Sequence, residues 1–375
     1  MREFAFELEL CAALEERRDA IVARQLGASV ADPGGRILDV ALVEPGPAFG
    51  QRTSMTAAAV PDAAIEADVG PGRWTYWKDA FDCHPERARS AADRAVEIEF
   101  FERERRRGRE YVRQVARYPD WIGRIVGIEN KPDLRSPGDL VDQLRTDVSL
   151  ALVDEAVLAT ESYVTGAHLN RIPEEVGVWR IQRGGGELPE IEIVREPTPL
   201  AVDEPGIEPL AARPGRTDIG VVSAAEKARA RRRLAERAYG KGWRTYEVPA
   251  CGACELARVG KGATGDATHV DGDGTTEDAT HPEGDGTTED ATHVGGEGAP
   301  FTSADGAVPA TLPYCTWKGR VVDAASECGP DCPGYELAEP PAVDRDAERD
   351  ARTPWVADPS GAHRRQAGLD RFGSG

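Results

Sequence analysis

GRIVGIENK, residues 123–131, is the stretch on which the reading of the fold turns. Its apolar residues Ile125, Val126 and Ile128, closed off by Pro132, predict a buried strand. Side chains alternate along a strand, so Glu129 and Lys131 share one face, with Asn130 between them. Proline cannot donate to a sheet ladder, so Pro132 ends the strand and sets the pair at a sheet rim.

Upstream, Phe4, Leu8, Cys11 and Leu14 at helical spacing predict a helix over 4–20. A strand over 21–30, the ADPGG turn at 31–35 and a strand over 36–44 then read as a hairpin. Asp39 stands among the apolar residues of LDVAL, and a buried carboxylate without a partner is costly. Downstream, Leu140, Leu144 and Val148 predict a helix over 137–152, followed by a strand at 154–161 and a short helix at 165–172. Strands at 176–182 and 190–197 are joined by the Gly-rich RGGGELP. Between 52 and 118, WTYWKDAFD reads as a short helix, 85–101 as a second, and 103–115 as two strands around Gly108. Two helices and a basic hairpin in this order resemble a winged helix.

At 375 residues, with 40% hydrophobic and 30% charged, the chain has room for one sizeable core and one or two smaller units. No run approaches the ~20 apolar residues that span a bilayer, so no membrane partner is expected. The start, MREFAFELEL, carries acids and no small-residue cleavage site, and a cytoplasmic location is expected. The net charge is −20, and only six of the 46 basic residues are lysine. Such an acidic, arginine-rich surface resembles that of a halophilic archaeon, where acidity is a solvation device that leaves a nucleic-acid partner open.

Asp39 and Glu129 together could hold Mg²⁺, or Mn²⁺, with water and phosphate oxygens completing the shell. Such an ion would lower the pKa of a water, and Lys131 would orient that water and add positive charge at the phosphate. The order helix, strand, strand with Asp, strand with E-x-K, helix, strand resembles the PD-(D/E)xK nuclease superfamily. The run from IVGIENK to ATESY is similar to its central block, and VGVWRIQRGGGELPEIEIVRE to its closing strand pair. The resemblance implies a restriction-endonuclease-like mixed sheet flanked by helices, and DNA phosphodiester hydrolysis by a Mg-activated water. It also implies that Gln143, in GDLVDQLRTD, supports the site. Ninety positions separate Asp39 from Glu129, more than the superfamily usually shows, and the insertion must fill that gap. If it does not, Glu44 is the next acid to consider. The whole chain also resembles a haloarchaeal protein family of unknown function.

The expected organisation is a core over 1–196 interrupted by the winged-helix-like insertion at 52–118, then a Pro-rich linker at 197–215. A basic helix and first C-x₂-C occupy 216–259, and a polar tail runs over 338–375. Over 260–310 an acidic repeat of period twelve, DATHVDGDGTTE then DATHPEGDGTTE, is too poor in apolar residues to fold, and its duplication alone explains the spacing of His269, His281 and His293. The second half of a cysteine cluster lies at 311–337. Cys251 and Cys254, with Cys328 and Cys332, have zinc spacing, and Cys315 is a possible substitute for one of them. An iron–sulfur cluster is the competing chemistry. Cys11 and Cys83 read as ordinary buried thiols, and His84 and His168 as structural residues.

Two basic patches stand out for DNA: Arg105, Arg106, Arg107 and Arg109, then Arg229, Arg231, Arg232 and Arg233 with Trp243 to stack on a base. Two readings compete with the nuclease. One is a non-catalytic DNA-binding protein with a structural zinc. The other is a zinc-organised interaction protein.

Overall fold

The computed structural model describes residues 3–135, 138–182, 188–259 and 310–352. Helix α1 (Glu3–Arg17) leads into β1 (Ile21–Gly27) and β2 (Ile37–Pro45). An insertion follows: α2 (Phe49–Thr53), α3 (Asp62–Ile65), β3 (Thr75–Tyr76), one 3₁₀ turn (Trp77–Asp79), α4 (Pro85–Glu97), β4 (Phe101–Arg106) and β5 (Arg109–Gln114). The chain returns as β6 (Ile122–Asn130), α5 (Leu140–Leu150), β7 (Glu155–Thr160), α6 (Gly166–Leu169), β8 (Gly177–Gln182) and β9 (Glu190–Arg195). The core sheet has order β1-β2-β6-β7-β8-β9. β1, β2 and β6 run as an antiparallel meander, β6, β7 and β8 are parallel, and β9 closes antiparallel.

Both sheet faces are covered, as strands with continuous apolar runs require. On one face Phe6, Leu10 and Leu14 of α1 pack with Val40, Leu42, Val126, Ile128 and Trp179. On the other, Leu144 of α5 and Ala230, Leu234 and Ala238 of α7 (Ala224–Lys241) pack with Val43, Ile125, Leu158 and Val178. The protein is therefore a mixed α/β fold, a mixed sheet flanked by helices. Among the described residues no helix is long and apolar enough to cross a membrane.

The insertion has its own core, with Met55, Ala64, Ala95, Phe100, Phe101 and Val112, and an antiparallel sheet of order β3-β5-β4. The helix expected in WTYWKDAFD is instead strand β3 and the 3₁₀ turn, because Thr75 and Tyr76 pair with Val112 and Tyr111. The insertion is tied to α7 by Glu236. This carboxylate accepts from Arg52 at 2.8 and 2.7 Å, from the Val60 N–H at 2.9 Å and from the Tyr118 hydroxyl at 2.7 Å.

Two expected boundaries need correction. The linker at 197–215 ends early: β10 (Gly206–Arg213) and β11 (Arg216–Val222) form a hairpin. Glu208 anchors it, accepting the N–H groups of Val30 and Ala31 at 2.9 and 2.7 Å. Gly206 lies so close to the Leu150 carbonyl that no side chain fits there. The polar tail begins later than 338, since α9 (Arg345–Arg352) brings Glu348 onto Arg244 at 3.3 Å. Between them lie β12 (Cys254–Val259), β13 (Ala310–Cys315), β14 (Arg320–Val321) and α8 (Ala324–Glu327). The acidic repeat and its three histidines fall outside the described residues.

Candidate active site

β2 pairs with β6 through Val40 and Ile128, and continuing that register by one position sets Asp39 opposite Glu129. In the β1–β2 pairing the same position of β1 is Gln25, whose φ of 52° marks a local break in the strand. Gln25, Asp39 and Glu129 thus form a row across three strands. Asp39 accepts the Asn130 N–H at 2.9 Å and the Gln25 side chain at 3.3 Å. Asp39 and Glu129 also share a side-chain hydrogen bond. The insertion spans the long gap between them, and Glu44 is removed to the far end of β2 on Arg124 at 2.6 Å.

Three further charged residues close around this pair. Arg36 donates to Glu129 at 2.8 Å and grips both oxygens of Asp147, on α5, at 2.9 and 2.7 Å. Glu7 of α1 accepts from Gln25 at 2.9 Å and from the Asn130 amide at 2.8 Å, and pairs with Arg24. Sequence reasoning passed over Glu7, Arg36 and Asp147. For the two acids a signal existed: Glu7 sits between buried Phe6 and Leu8, and Asp147 extends the core-facing series Leu140, Leu144. Arg36 offered none.

Burial raises the pKa of Glu129 to about 8; Arg36 opposes the rise and the neighbouring Asp39 adds to it. Burial also raises Asp39, against the Asn130 N–H, Arg36 and Gln25. Two adjacent carboxyls with too little positive charge between them hold a proton. The folded pKa of Glu129 lies above its unfolded value, so its contribution to stability is full below the unfolded value near 4.5 and is lost as pH rises through about 8. In chelator, stability should fall across that window by on the order of a few kcal/mol. Urea unfolding at a series of pH values should show this slope, and Glu129→Gln should flatten it.

Lys131 stands at the rim as its place in the sequence suggested. Its ammonium, however, bonds Glu3 at 2.6 Å, at the start of the helix on the opposite sheet face, and Glu3 holds its pKa up. Gln143 is half-buried on α5, one turn before Asp147, and its side chain makes no hydrogen bond among the described residues. Asp147, not Gln143, is the α5 side chain that reaches the cluster through Arg36. Two carboxylates suit a hard divalent cation. Yet no group of three or more His, Cys, Asp or Glu among the described residues is arranged to hold a metal ion.

The basic patches need correction. Trp243 is fully buried and donates to Glu15 at 3.0 Å, so it cannot stack on a base. Tyr246 is likewise buried, on the Thr311 carbonyl at 2.6 Å. Arg231 donates to the Leu152 carbonyl and Asp154 at 2.8 and 2.7 Å, while Arg232 and Arg233 face Glu66 and Asp62 at 3.6 and 3.8 Å. The reason is that α7 is a core helix whose Ala/Leu face packs on the sheet. Arg229, Arg105, Arg106, Arg107 and Arg109 are exposed, Arg106 with Glu104 as partner. His84 is the N-cap of α4, and His168, inside α6, accepts the N–H of that helix's N-cap, Thr165. Cys11 is buried and Cys83 half-buried.

Fold and site define an α/β protein with two adjacent carboxyls, Glu129 buried and Asp39 half-buried, at the rim of a mixed sheet. The profile of a family of unknown function, DUF5787, matches residues 21–281, and the chain belongs to that family. The match takes in Asp39, Glu129, Lys131, Cys251 and Cys254, and stops before Cys315. Comparison with curated proteins gives no match, and neither does comparison with solved structures.

Proposed function

We propose that the protein is a metal-dependent DNA nuclease of the PD-(D/E)xK kind. The observation that carries this reading is the placing of Asp39 opposite Glu129 across β2 and β6, from positions ninety residues apart, with Lys131 two residues on. The order α1-β1-β2-β6-α5-β7, a meander followed by a parallel crossover, supports it. When bound, magnesium would supply positive charge at the phosphate and lower the pKa of a water. Asp39 and Glu129 would hold the ion, and giving up the shared proton would release their burial strain. Lys131 would leave Glu3, an exposed partner that costs little to lose, and turn to the attacked phosphate. Arg36, fixed by Asp147, would remain as a permanent cation beside Glu129. The order α3-β3-α4-β4-β5, with sheet order β3-β5-β4, supports a winged-helix insertion whose β4–β5 tip, Arg105–Arg109, meets DNA.

The test is cleavage of single- and double-stranded DNA in high salt with Mg²⁺ or Mn²⁺, which wild type should perform and EDTA should stop. A second reading, a non-catalytic DNA-binding protein, draws on Arg36 and Glu3, which already hold Glu129 and Lys131. It expects DNA binding that survives EDTA and no cleavage under any condition.

A further inference from the structure

Among its described side chains, the small sheet of order β12-β13-β14 and the segment after it bury Leu312, Val321, Val322 and Ala324. Every cysteine of this unit is a free thiol, and small units of this size are often stapled by a metal. No three of its thiols already stand as a metal-binding group among the described residues, but the backbone brings them to one end of the sheet. The register of β12 and β13 sets Cys254 opposite Cys315. Cys251 lies one tight turn ahead, where the Cys254 N–H donates to its carbonyl at 2.9 Å, and a bridge to Leu337 pins it. On the other strand, the Lys318 N–H donates to Cys315 Sγ at 3.4 Å, a bond that a thiolate accepts better than a thiol. The Lys318 ammonium then reaches the carbonyl of Glu327 at 3.0 Å, the residue before Cys328. One lysine thus ties the turn after Cys315 to the backbone that carries Cys328.

We propose that Cys251, Cys254, Cys315 and Cys328 bind one zinc ion, with Cys332 outside the set. This ligand set revises the expected one, in which Cys332 was a ligand and Cys315 a substitute. Cys328, Cys251 and Cys315 all lie near enough to act on the Cys254 thiol, and Cys315 and Cys251 act on Cys328 as well. A zinc tetrathiolate carries a net double negative charge. Lys318 and Arg320, both held by Glu327, supply the cations beside it. Cys251, Cys254 and Cys315 are buried and Cys328 is half-buried. Zinc binding would then order the segment around α8 and, through Cys251, the turn where β12 begins.

Metal analysis of the full chain, purified in high salt, should find about one zinc per chain, with X-ray absorption giving sulfur ligands at ~2.3 Å. Cys315→Ser should lose most of the zinc and Cys332→Ser should keep it. If Cys315→Ser fails to fold, cobalt substitution of wild type and Cys332→Ser decides: the proposal expects the same tetrathiolate charge-transfer spectrum from both. Loss of zinc or of that spectrum in Cys332→Ser, a brown iron–sulfur chromophore, or metal-free protein would each overturn it.

Discussion

Lys131→Ala is expected to lower Mg²⁺-dependent DNA cleavage by about 10²–10⁴-fold, the usual loss when a positioned proton-transfer or charge-stabilising group is removed. Stability should barely change. Lys131 is three-quarters enclosed, but its ion pair is with Glu3, whose side chain is 57% exposed. Surface pairs of this kind contribute little. The loss should appear in kcat at saturating metal, because Lys131 lies outside the carboxyl pair proposed to hold the ion. Glu3→Gln separates the two roles of Lys131. Freed from Glu3, the lysine should act at least as well as in wild type. A Lys131→Ala variant with full activity would remove the lysine from the chemistry.

Glu236→Ala should destabilise the protein by about 3–5 kcal/mol, since removing one partner of a buried ion pair strands the other charge. Arg52 is fully buried, with Glu236 as its charge partner and its guanidinium 3.9 Å from the ring centroid of Tyr239. The Val60 N–H and the Tyr118 hydroxyl lose their acceptor in the same step. Because these contacts join the insertion to α7, urea unfolding followed by tryptophan fluorescence, to which Trp121 beside Glu236 contributes, should report the loss. The double variant Arg52→Met/Glu236→Leu should recover part of it by removing the stranded charge. A Glu236→Ala loss below about 1 kcal/mol would mean that Arg52 finds water or another acceptor.

How much of this was legible depended on the range of the interactions. The β6 strand and its rim were readable because Ile125, Val126, Ile128 and Pro132 are local signals. Asp39 was readable as an acid in an apolar strand, and its pairing with Glu129 followed from strand order. Arg36 was not, because what matters about it is a contact with Asp147 across 111 positions. Trp243 and the α7 arginines misled for the opposite reason. Next to basic residues they looked like a DNA surface, while the buried face of the same helix, at Ala230, Leu234 and Ala238, placed it in the core. The hairpin at 206–222 was hidden by its proline content and is held by one buried acid, Glu208.

The account rests on Asp39 and Glu129 sharing one cation site, and titration of Mn²⁺ into chelator-treated protein tests it most directly. Concentrated KCl is needed to suppress loose binding to the acidic surface. The account predicts one Mn²⁺ site that is lost in Asp39→Asn and weakened in Glu129→Gln. It also predicts release of about one proton at pH 7, read from calorimetry in buffers of different ionisation enthalpy, because Glu129 must give up the proton held by its raised pKa. Equal Mn²⁺ binding by wild type and Asp39→Asn, with no proton release, would contradict it.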